Sequence, residues 1–255
     1  MLYNFEKTLL VILLSVTFSC KNYNNENHYK NFAIVTAKYE ATKAGHKILK
    51  MGGNAFDAMI ATDLALSVVY PNAGNLGGGG FMVYRTSNSQ YGSIDYREKA
   101  PLLSSENMYL DKNGNIIKNL SREGSLSIGV PGTVAGLFEV YEKFGTLPLD
   151  SIFKPALELA KDGFKLTKKQ ADLFNSSKSK ILINSDSLSL FNKDFKKDMI
   201  FSNYKLYKTL KYLLKNGVEG FYDGDISKEI INYVSKKGGI SVSYTHLRAH
   251  ETHND

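Results

Sequence analysis

Gly77, Gly78, Gly79 and Gly80 stand in an unbroken run between an apolar segment and two short alternating ones, and no other stretch constrains the fold as strongly. Glycine loses more freedom on folding than any other residue, so such a run answers a need: positive φ angles, or close approach of the main chain to another segment or a ligand. The flanks narrow the choice. Upstream, residues 41–51 read as a helix stopped by Gly52 and Gly53. Asn54 then caps a second helix running to about Ser67, with Asp57 bringing a carboxylate to the positive end of its dipole. Ala55, Ala58, Met59, Ala61, Ala65, Leu66 and Val69 make that helix small or apolar on most sides, which predicts burial between other layers. Pro71 ends it. Downstream, residues 81–86 and 91–96 read as the strands of a hairpin turned by 87–90. A dinucleotide-binding loop follows a strand and opens a helix. Here the glycines follow a helix and open a strand, which argues against that reading.

The far end of the hairpin delivers Arg97, in the segment DYREKAP at 95–101. A guanidinium is a planar fork of donors that matches a carboxylate, and at a strand end beside glycine-rich backbone it suits a substrate carboxylate held in fixed register. Spacing alone favours a plainer role, a structural ion pair with Asp95 or Glu98.

Several motifs in order now carry a resemblance. The run ATKAGHKILKMGGNAFDAMIATDLALSVVYPNAGNLGGGGFMVY, then DYREKAP, SIGVPGTVAGLFEVYEKFGTLPL and PALELAKDGF, is similar to the N-terminal part of a γ-glutamyltranspeptidase (γ-glutamyltransferase) over residues 35–241. The resemblance implies an α+β fold, the αββα four-layer sandwich of the N-terminal-nucleophile hydrolases, incomplete here. It also implies that Arg97, the arginine of D-x-R-E-x-A-P, binds the α-carboxylate of the γ-glutamyl group, which displaces the ion-pair reading. The implied donor is glutathione or another γ-glutamyl amide, and the acceptor is water or an amino acid or peptide. No metal or organic cofactor is implied. In the family the nucleophile is a threonine freed when the precursor cuts itself before a threonine-threonine-histidine sequence, and that threonine opens the small subunit. The pairs Thr245-His246 and Thr252-His253 lack the second threonine and the strand pattern that follows it. The nucleophile, the oxyanion donors and the small subunit are therefore expected to be absent from these residues, leaving this stretch inactive alone, with exposed sheet edges and poor solubility.

Residues 1–20 carry Lys7 and the apolar run 9–16, too short to span a bilayer but suited to a secretory signal. Cys20, the only cysteine, follows Ser19 where a bacterial lipoprotein is cleaved and lipidated. Plain signal-peptidase cleavage is the alternative. Either reading sends the protein to the periplasm or cell envelope, with a lipid anchor as a membrane tether in the first. Residues 21–30 are an asparagine-rich tether, and 32–36 read as the first strand of a domain spanning 31–241.

Beyond Pro101, Asn113 and Gly114 mark a turn, 127–130 a short strand, and Pro131, Gly132 and Thr133 the start of a helix over 134–144. Free N–H groups there suit an anion, although ordinary helix initiation is the preferred reading. Asp150 is expected to cap a helix ending at Gly163, its face formed by Ile152, Phe153, Ala156, Leu157 and Ala160. Further helices are expected at 167–176, 203–216 and 227–236. The net charge of +7 is spread among acidic residues on solvent-facing positions, which argues against nucleic-acid binding. Residues 243–255 hold His246, His250 and His253 with Leu247 as the one large aliphatic residue to stiffen a metal site, and 242–255 read as a non-native tail.

Two alternatives stay open. A related acylase shares the scaffold and differs in its acyl group, and Arg97 favours the γ-glutamyl substrate over it. A non-catalytic lipoprotein that binds γ-glutamyl or amino-acid ligands requires a chain that folds alone.

Overall fold

A computed structural model describes residues 31–185 and 190–240. The chain clusters into two units, Met1–Ala33 and Ile34–Asp255. Only residues 31–33 of the first are described, and every described helix and strand belongs to the second. Cys20 and the histidines at 246, 250 and 253 lie outside the described residues, as do the leader, the tether and the tail.

Residues 32–36 form no strand. Thr36 instead turns the chain: its Oγ1 donates to Lys38 O at 2.7 Å and pairs with Thr42 Oγ1 at 2.8 Å, leading into α1, Tyr39–Lys50. Ala41, Ala44, Gly45 and Ile48 give α1 its buried stripe. Gly52 ends it at φ 89°, a value that favours glycine, while Gly53 N donates to Ile48 O at 3.1 Å. Asn54 then starts α2, Ala55–Val69, through a complete capping box: its side chain accepts from Phe56 N and Asp57 N, and Asp57 accepts from Asn54 N. As expected, α2 is buried nearly all round, packed by α1 and by the two helices that follow the hairpin.

In the hairpin, β1 (Phe81–Arg85) pairs antiparallel with β2 (Tyr91–Asp95) in the register Phe81↔Asp95, Val83↔Ser93, Arg85↔Tyr91. Met82 and Ile94 face the core, and the opposite face exposes Phe81, Val83 and Tyr91. Tyr84 docks the hairpin on the helices: its ring lies 5.7 Å from Phe56 and 4.8 Å from Phe144, which stack on each other at 4.2 Å.

The Asn113-Gly114 turn forms around Asp111, whose Oδ1 accepts from Asn113 N and Asn115 N. The strand expected at 127–130 is absent. A 3₁₀ turn at Ser125–Ser127 precedes it, and only Val130 pairs, through an isolated bridge to Lys99. Next come α3, Thr133–Phe144, and α4, Leu149–Asp162. Asp150 does not cap α4: the helix begins after Pro148, so the carboxylate falls inside the first turn, where it still complements the dipole.

A pair too short to read from sequence follows, β3 (Phe164–Lys165) against β4 (Ile200–Phe201). Between them α5, Lys168–Asn184, starts at a Thr167–Gln170 capping box and runs well past the expected end at 176. Phe174 packs 5.2 Å from Phe195 and 5.1 Å from Phe201, closing this part of the core. Two helices end the described chain: α6, Tyr204–Tyr222, kinked where Gly217 takes φ 64°, and α7, Asp225–Lys236. The class is α+β. Within the described residues its sheets amount to two two-stranded ladders.

Candidate substrate-carboxylate site

Arg97 lies where three segments meet. Gly80 N and Tyr96 N exchange hydrogen bonds with the opposing carbonyls at 3.3 and 3.0 Å, extending the hairpin ladder by one pair. On the other side, Lys99 and Val130 exchange theirs at 3.2 and 2.8 Å. The third segment joins the first where Gly132 N and Thr133 N both donate to Gly78 O, at 2.8 and 3.0 Å.

These contacts explain the glycines. None of Gly77 to Gly80 has a positive φ, so the left-handed backbone offered as one reason for the run is not what it provides. Close approach is. A Cβ on Gly79 would lie 2.6 Å from Tyr96 O, 2.7 Å from Glu98 N and 2.8 Å from Arg97 Cα, and one on Gly80 would meet the Tyr96 ring at 2.8 Å. From the third segment, a Cβ on Gly132 would lie 2.0 Å from Tyr96 O, and one on Gly136 2.2 Å from Tyr96 Cγ. Glycines on two sides thus hold the peptides of Tyr96 and Arg97 at backbone-to-backbone distance.

The side chain of Arg97 is exposed, its guanidinium 5.8 Å from the centre of the Phe81 ring. Among the described residues it makes no ion pair. Asp95 turns its carboxylate onto the Arg97 backbone, accepting from Arg97 N at 2.9 Å, and Glu98 does not pair with it either. The plainer role suggested by spacing, neutralisation by a sequence neighbour, is not the one the residue takes. Its five donors remain available to a carboxylate from outside.

The start of α3 resolves to ordinary helix initiation. Thr133 N goes to Gly78 O, and Ala135 N donates to the hydroxyl of Tyr222 at 3.1 Å. Two first-turn donors are therefore occupied by the protein itself.

Two carboxylates near this frame behave differently. Asp57, fully buried, joins distant parts of the chain: besides Asn54 N it accepts from Thr146 N at 3.0 Å and from Thr146 Oγ1 at 2.5 Å. Sequence reasoning identifies its dipole and cap but not Thr146, because nothing local links positions 57 and 146. Asp63, on the same helix, has no such donor among the described residues, and burial pushes its carboxyl from the ordinary 3.8 up to about 6. The phenol of Tyr96 is pushed up to about 12, first by its own burial and then by the charge of Asp63.

An acid that holds its proton more tightly when folded contributes its full stability below the unfolded value near 3.8 and loses it as pH rises through about 6. Asp63→Asn is therefore expected to stabilise the protein at pH 7.5 by about 1–3 kcal/mol and to leave it nearly unchanged at pH 4. Thermal denaturation at the two pH values checks this; equal shifts at both would overturn it.

The family model described as Gamma-glutamyltranspeptidase matches residues 41–253. The glutathione hydrolase proenzyme of Pseudomonas sp. (strain A14) is 38% identical over 244 residues, 92% of this chain and 42% of that protein. That of Escherichia coli (strain K12) is 40% identical over 215 residues, 83% of this chain and 37% of the relative. The crystal structure of Helicobacter pylori gamma-glutamyltranspeptidase superposes with a TM-score of 0.82 at 38% identity, covering 86% of this chain and 64% of that one. The chain thus spans about two fifths of the length of these curated relatives.

Proposed function

The chain belongs to the γ-glutamyltranspeptidase family, and from that premise we propose that it is the Arg97-bearing portion of an enzyme that cleaves the γ-glutamyl amide of glutathione or a related donor. The γ-glutamyl group passes to water or to an amino acceptor through an acyl-threonine intermediate. Arg97 holds the donor's α-carboxylate through paired, charge-assisted hydrogen bonds and so fixes the distance between that carboxylate and the scissile amide. The threonine nucleophile and the groups that stabilise the tetrahedral intermediate come from the small subunit of the same precursor, outside these 255 residues. Without them this stretch binds but does not turn over. The protein is exported on residues 1–20, with Cys20 as the lipidation position.

One observation carries this reading. In the D-x-R-E-x-A-P segment, the guanidinium of Arg97 is exposed and unpaired among the described residues, while the peptide behind it is held by glycine contacts on two sides. A surface arginine kept only for charge does not need its backbone fixed in this way.

Arg97→Ala in the full-length protein is expected to raise KM for a γ-glutamyl donor roughly 10- to 100-fold, the loss of one or two charge-assisted hydrogen bonds, with kcat changed far less. A matching donor without the α-carboxylate should be insensitive to the substitution. Steady-state kinetics with both donors decides, and an unchanged KM for the γ-glutamyl donor would return Arg97 to a structural role.

A further inference from the structure

Tyr222 is the last residue of α6 and is 6% exposed. Its hydroxyl donates to Pro131 O at 2.9 Å and accepts from Ala135 N at 3.1 Å. Pro131 O precedes α3 and Ala135 N lies in its first turn, so one phenol oxygen closes a clasp around residues 132–134. A neutral hydroxyl suits this task because it gives and receives at once, matching one free carbonyl and one free N–H. Gly132 is also the glycine whose missing Cβ lets Tyr96 O and Arg97 O approach, the distances to that Cβ being 2.0 and 3.0 Å. The same residue hangs on Gly78 O through its N–H. The contacts therefore run without a gap from the Tyr222 hydroxyl, through 131–135, to the peptide that carries Arg97.

Sequence separation makes this more than local packing. Tyr222 lies 87 residues from Ala135 and 91 from Pro131, and it reaches them because Gly217 interrupts α6. At φ 64° and ψ −159° that glycine leaves the helical path and re-aims the final turn. A Cβ there would meet nothing within 4 Å, so its requirement is purely conformational. The Phe221 ring packs edge-on against Tyr222, centroids 4.9 Å apart.

We propose that Tyr222 is a positioning residue for donor binding, acting through the clasp on Pro131 and Ala135 to hold the Gly132 backbone against the Arg97 peptide. The inference rests on Arg97 being the carboxylate-binding residue. Without the hydroxyl, a carbonyl and an N–H at the start of α3 lose their partner, the 131–135 segment relaxes, and Arg97 loses the surface that fixes its register.

The test is Tyr222→Phe in the full-length protein, assayed with a γ-glutamyl anilide and with the matching anilide that lacks the α-carboxylate. The expected result is a rise of about 5- to 10-fold in KM for the γ-glutamyl donor, kcat within about twofold, and no change in KM for the other. In an Arg97→Ala background the added effect should fall below about twofold, since both changes act on one contact. Equal changes for both donors, or none, would overturn the inference and leave Tyr222 as a stabilising residue only. A γ-glutamyl KM unmoved by Arg97→Ala would instead overturn the reading on which it rests, so the two failures are separable. Gly217→Ala keeps the hydroxyl but strains the turn that carries it, and must shift KM with the same donor selectivity for the inference to stand.

Discussion

Asp57→Ala is expected to destabilise the domain by about 2–4 kcal/mol, a large share of the stability of a protein of this size. The carboxylate is fully buried and accepts from four donors: Asn54 N at the start of α2, and Thr146 N, Thr146 Oγ1 and, at 3.5 Å, Leu147 N in the turn after α3. Alanine removes all four acceptor contacts and the carboxylate that complements the α2 dipole. Asn54 remains fixed from its other end, since its Nδ2 donates to Phe144 O at 2.6 Å. The damage should therefore appear as a loosened joint between α2 and α3 rather than an unwound α2. Urea denaturation gives the magnitude and helicity by circular dichroism the discrimination. Asp57→Asn keeps one acceptor oxygen but turns an amide NH₂ toward donors, so it should fall between alanine and the native residue. A loss below about 1 kcal/mol for Asp57→Ala would mean that water satisfies these groups, because Thr146 is itself exposed.

The same joint shows what the sequence can carry. Gly52, Gly53 and Asn54 mark a helix end and a helix start through residues no more than three positions apart, and both elements appear where those signals put them. The hairpin is legible for the same reason, as is the delivery of Arg97 at its end. Asp57 is readable only as far as its local chemistry reaches. Its partner Thr146 is 89 residues away, and no periodicity records such a pair. Pro148 shows a subtler limit: Asp150 has the chemistry of a cap, but the cap position falls two residues earlier, at Pro148, and the helix already runs from Leu149. For α5 the lysines and serines beyond 176 hide a continuation to Asn184.

The glycine run signals a demand for close approach, yet the approached segment is not readable. In the sequence Tyr96 and Arg97 look like the end of a strand, and Gly132 looks like a helix starter. Only the fold brings them together. The signal that could link them is chemical economy: glycines at 79, 80, 132 and 136 surround a single bulky residue, Tyr96, whose ring and carbonyl fill the space that side chains at those positions would need.

Gly132→Ala follows from that geometry, and its expected effect on function is larger than that of removing the Arg97 side chain. The backbone at Gly132 has φ −111° and ψ −20°, a conformation alanine adopts freely, so the substitution introduces no torsional strain. Its cost is steric alone. The new Cβ would sit 2.0 Å from Tyr96 O, 2.8 Å from Tyr96 C and 3.0 Å from Arg97 O, all backbone atoms that no rotamer change can move aside. Restoring normal contact needs a separation of about 1 Å or more, and the segment carrying Arg97 must take part of it because 131–135 is held by the Tyr222 hydroxyl. A misplacement of that size costs on the order of 10²-fold in a reaction that depends on donor register, so kcat/KM should fall by about 10²- to 10³-fold. Overpacking should lower stability by only about 1–3 kcal/mol, leaving the variant folded at assay temperature. Arg97→Ala removes the contact, whereas Gly132→Ala keeps the cation and aims it wrongly, which excludes productive donor poses as well as weakening the native one. The measurement is kcat/KM beside the thermal midpoint of the same preparation. A folded Gly132→Ala protein with native kinetics would show that the junction yields away from Arg97, and that the glycine contacts serve packing rather than the placement of the guanidinium.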